Sequence, residues 1–92
     1  MASAPPALIQ NIAALARQGR LDEAAVQAAQ ATAANPRDPV LAALAGAIEC
    51  HRGQFARAIG YLQTAHQQRP EDLTVRANLA EAIYTQVGLS RN

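Results

Sequence analysis

Gly19-Arg20-Leu21-Asp22-Glu23-Ala24 returns 34 residues later as Gly53-Gln54-Phe55-Ala56-Arg57-Ala58. The same shift lays Ala31 on Ala65, Pro36 on Pro70 and Asp38 on Asp72, so a glycine corner, a run of small residues and a proline corner all recur together. Self-similarity at this period marks stacked helix-turn-helix units, because one such unit cannot bury its apolar face alone and needs a like neighbour. An all-α fold of about five antiparallel helices follows, in a single domain spanning residues 1–92.

Working outward from the corners places the helices. Leu8, Ile12 and Leu15 recur at helical spacing between about Pro5 and Gln18, and the prolines at 5 and 6 fit the first turn, where a missing donor costs nothing. Gly19 ends that helix, and a second runs from about Leu21 to Ala34, before Asn35-Pro36. Asp38-Pro39 is a start signal for a third helix to about Arg52, closed by Gly53. A fourth covers about Gln54 to Gln68 before Arg69-Pro70. Asp72 then opens a fifth, which carries Leu73, Leu79, Ile83 and Val87 and is expected to stop at Gly88. The units are therefore residues 5–38 and 39–72, with 73–88 as the first helix of a third unit or a capping helix. Ala24 and Ala58 are expected where the helices of each pair cross most closely.

Composition narrows the function. Half of the 92 residues are hydrophobic and half of those are alanine, which favours closely packed helices over a sheet. A net charge of +1 and an aromatic set of Phe55, Tyr61 and Tyr84 provide neither a field for a polyanion nor a base-stacking platform, so no nucleic-acid partner is expected. Lysine is absent, which excludes Schiff-base chemistry and a phosphate-loop lysine. The lone Cys50 makes no internal disulfide, Met1 to Pro6 lacks the features of a secretory leader, and no run nears the roughly 20 apolar residues of a membrane span. A cytoplasmic chain that does not enter the membrane is the expectation, and an exported chain with its leader removed would look the same.

The corners, the alanines at 24, 28, 31, 58 and 65, and the closing prolines resemble the tetratricopeptide repeat. The resemblance covers nearly the whole chain, as two repeats and the first helix of a third, and it implies a right-handed α-α superhelix. The chain departs from the family pattern at several places. Leu8 and Leu15, then Ala42 and Glu49, stand where the family has bulky aromatics, so lighter inter-helix contacts are expected. Ile12 stands where a small residue is usual, so the first pair should sit further apart than the second, which has Gly46. The family's clamp for a terminal carboxylate is missing, the matching positions being Ile9, Ala13, Leu44, Thr74 and Asn78.

No constellation for catalysis emerges. Cys50 and His51 are adjacent on a helix and point about 100° apart, His66 lies on another element, and a zinc site would lack a fourth ligand. No enzyme activity, cofactor or metal is expected, and Glu49, Glu71 and Glu81 read as solvated faces or caps. By the resemblance, the first helix of each pair lines a concave groove: Ile9, Ala13 and Arg17, then Val40, Ala43, Ala47, Cys50 and His51, then Thr74, Ala77, Glu81 and Tyr84. The leading expectation is a protein-interaction scaffold that takes a peptide or helix there. Self-association through Leu79 and Ile83 at the open C-terminal edge is a second expectation. The alternative is an N-terminal accessory or dimerising domain of a larger bacterial enzyme, since such repeats resemble the leading segments of some sulfotransferases and glycosyltransferases.

Overall fold

Gly19 and Gly53 take the left-handed backbone at φ +79° and +76° in a computed structural model that describes residues 5–90. Each closes its helix in the same way. Gly19 N–H donates to the Ala16 carbonyl and Arg20 N–H to that of Leu15; one period later Gly53 donates to Cys50 and Gln54 to Glu49. This paired closure satisfies carbonyls that a helix end leaves without partners. The proline corners repeat as well: Asn35 sits at φ −134°, ψ 65° and Arg69 at φ −137°, ψ 74°.

Five helices result: α1 Pro6–Arg17, α2 Leu21–Ala34, α3 Pro39–His51, α4 Phe55–Gln68 and α5 Leu73–Ser90. The start of α3 is capped as its sequence demands, with Leu41 N–H donating to Asp38 Oδ1 at 3.0 Å and proline in the first turn. At α5, Thr74 and Val75 donate to Asp72 Oδ1 at 3.0 and 3.2 Å. The expected stop at Gly88 is corrected: α5 runs through it to Ser90. Gly88 stands one residue later than the period requires and lacks the positive φ of the two corner glycines. Residues 1–4 and 91–92 of the expected domain lie outside the described residues.

Each helix packs on the next, α1 touches α3 and α3 touches α5, while the backbones of α2 and α4 stay apart. The odd-numbered helices thus form one layer and the even-numbered pair a second, splayed layer. The fold is an all-α helical stack. Its core is largely alanine, with Ala24, Ala28, Ala45, Ala58 and Ala65 buried around the larger Ile12, Leu41, Ile48 and Leu62. Among the described residues no helix is long and apolar enough to cross a membrane.

Glu49 is not the solvated group its sequence suggests. It is 3% exposed, and its Oε1 accepts from Arg52 Nη1 at 2.6 Å. Arg52 Nε also donates to Asp22 Oδ1 at 3.2 Å, tying the end of α3 to the first turn of α2. The buried carboxylate is tolerated because a cation meets it; a lone charge there would carry its full desolvation cost.

Candidate functional site

The pairing of α3 with α5 leaves a cleft of about 310 Å³ on the odd-helix layer. From α3 come Ala47, Cys50 and His51, and from α5 come Asn78, Glu81 and Thr85, with Phe55 and Ala82 completing the wall. The positions follow from helical spacing. Residues 47, 50 and 51 share one face of α3, as do 78, 81, 82 and 85 on α5.

Four expected groove residues, Ala47, Cys50, His51 and Glu81, therefore meet in one cavity. Others lie elsewhere. Ile9 and Ala13 are half-buried on α1, where Ile9 packs on the core cluster around Ile12, and Arg17 is exposed. Ala43 packs beside Ala42, Ala65 and Val75. Val40, Thr74, Ala77 and Tyr84 are exposed and do not line the cleft. At the edge expected to self-associate, Leu79 is half-buried against Ala58, Leu62 and Ala82, so α4 already covers part of it, whereas Ile83 is exposed.

Electrostatics in the cleft are simple. Burial pushes the Cys50 thiol above its ordinary range, and the carboxylate of Glu81 adds to the effect. Glu81 itself is exposed and makes no ion pair among the described residues. The cleft thus presents an apolar floor of Ala47, Phe55 and Ala82 with one uncompensated negative charge at its margin. No family model matches this chain, and no match was found among curated proteins or solved structures.

His66 stands apart from Cys50 and His51, beside Arg76, Leu79 and Ile83 between α4 and α5, with its Nδ1 buried and without a hydrogen-bond partner among the described residues. No group of three metal-ligating side chains gathers among the described residues. A larger cleft, of about 620 Å³, opens where α2 and α4 splay apart. Arg52 and Glu49 lie at its base, with Arg57 and Tyr61 along one side and Val26 along the other. Sequence reasoning missed it. The opposite charges three residues apart, Glu49 and Arg52, were a local sign of an ion pair, but the reach of Arg52 to Asp22 depends on how α2 meets α3.

Proposed function

We propose that the chain is a polypeptide-binding scaffold of the tetratricopeptide kind, holding an extended or helical segment of a partner protein in the α3–α5 cleft. The recurrence of both corners in sequence and in backbone geometry supports the family assignment. One observation carries the binding role: a concave, mainly apolar surface formed by two successive units, edged by polar His51, Asn78, Glu81 and Thr85. Apolar floors accept side chains, and polar margins fix backbone direction. The free carboxylate of Glu81 favours a segment with arginine or lysine beside a small apolar residue. No catalytic step is assigned to Cys50 or His51, whose side chains make no hydrogen bond to each other or to another group among the described residues.

Selection of displayed peptides on the wild-type chain, repeated on Ala47→Arg, tests this reading. Enriched sequences should carry a basic residue, and their binding should be lost with Ala47→Arg and weakened by Glu81→Gln, while helical circular dichroism stays unchanged. Binders that ignore both substitutions would remove the cleft from the function.

A further inference from the structure

Helix α5 is apolar on two opposite faces. Val75 and Ala82 are buried against the rest of the domain, yet Leu73, Ala77, Ala80, Tyr84 and Val87 make a second stripe on the solvent side. Their spacing alternates four and three residues, the period at which one helix seats against another. Leu73 is 71% exposed, Tyr84 83% and Val87 50%. An apolar stripe on a helix normally seats against another element.

The charges identify the occupant. Arg76 and Glu81 are the charged residues of α5, and they flank the stripe on opposite sides, five residues apart. That offset is the one at which flanking side chains of two parallel, in-register helices meet across their seam. In a parallel pair of α5 helices Arg76 of each copy faces Glu81 of the other, twice. An antiparallel pair would set the arginine flank against an arginine flank and the glutamate flank against a glutamate flank. Each domain body packs on the side of its own α5 that carries Val75 and Ala82, opposite the stripe.

We infer that this chain forms a twofold dimer through the outer face of α5, with the two helices parallel, Leu73, Ala77, Ala80, Tyr84 and Val87 meeting their own counterparts, and Arg76 paired with Glu81 of the second copy. This seam takes the place of Leu79 and Ile83 as the self-association surface, Leu79 being already partly buried against α4. Glu81 also edges the α3–α5 cleft, so the seam and a segment bound in the cleft draw on the same carboxylate, whereas the apolar stripe belongs to the seam alone.

Sedimentation equilibrium over a wide concentration range tests the pairing. Wild type should dimerise, as should Ala47→Arg, whose substitution lies in the cleft; Tyr84→Asp should sediment as a folded monomer. Arg76→Glu and Glu81→Arg should each weaken the dimer about tenfold, and the double exchange should restore it. Direction is read by oxidation in a Cys50→Ser background: Leu73→Cys and Val87→Cys should each form a covalent dimer alone. Wild type that stays monomeric, a dimer indifferent to Tyr84→Asp, or cross-links that appear only when the two cysteine variants are mixed would overturn the inference.

Discussion

A Cβ placed on Gly46 would lie 2.6 Å from Cγ and 2.8 Å from Cδ2 of Leu62, so α3 and α4 meet there more closely than any side chain allows. The aligned residue of the first unit is Ile12, fully buried, and α1 and α2 touch less extensively than α3 and α4. Gly46→Ala should gain about 1 kcal/mol in helix propensity. Overpacking against the branch point of Leu62 costs about 1–3 kcal/mol and should prevail. Urea titration should therefore show a net loss of about 1 kcal/mol, the difference between these two effects. An unchanged midpoint would mean that Leu62 moves aside freely.

Gly53 and Gly60 separate backbone strain from crowding. At both, a Cβ would meet no neighbouring atom within 4 Å, but Gly53 sits at φ +76° while Gly60 lies inside α4. Gly53→Ala should cost about 1 kcal/mol because the left-handed region is unfavourable to a side chain. Gly60→Ala should stabilise by about 0.5–1 kcal/mol through helix propensity. Thermal melts that shift in the same direction for both would contradict this account.

Both corner types and the helix boundaries up to the start of α5 were legible because they depend on local chemistry: a glycine that adopts positive φ, a proline that ends a helix and an aspartate that caps the next. The close crossing was legible in part, since Ala58 is buried beside it, but the tighter constraint falls on Gly46. Glu49 was misread because its burial depends on a guanidinium reaching back from the following corner. Gly88 was misread because glycine is tolerated within a helix when no corner geometry calls on it. The cleft joining Ala47 to Glu81 and the solvent face of α5 are relations between helices, which no single run of residues contains.

Arg52 holds two carboxylates of very different standing. Glu49 has a side chain 4% exposed, whereas that of Asp22 is 92% exposed. Hydrogen bonding to Glu49, more than to Asp22, raises the guanidinium further into its charged range. Arg52→Met should destabilise markedly, because Glu49 would be left charged and buried, and Asp22→Asn should change little, because water replaces the lost partner. The pair Arg52→Met/Glu49→Met should recover much of the loss by removing both charges. Chemical denaturation of these three variants beside wild type distinguishes a buried pair from two surface contacts.

Cys50 and Glu81 face each other across the α3–α5 cleft, and the thiol titrates above its ordinary value of 9.0, mainly through burial and secondarily through the carboxylate. At pH 8 the folded chain should carry less thiolate than an unfolded one, so alkylation by iodoacetamide should be slow and should speed up in urea. Glu81→Gln should accelerate it modestly, since the smaller of the two causes is removed. The raised value also sets the direction of the stability change. The unfolded thiol ionises first as pH rises, so the contribution is full below pH 9.0 and is lost as pH climbs through the folded value. Denaturation midpoints measured from pH 7 upward should fall less steeply for Cys50→Ala than for wild type; parallel curves would show that the thiol does not feel the cleft.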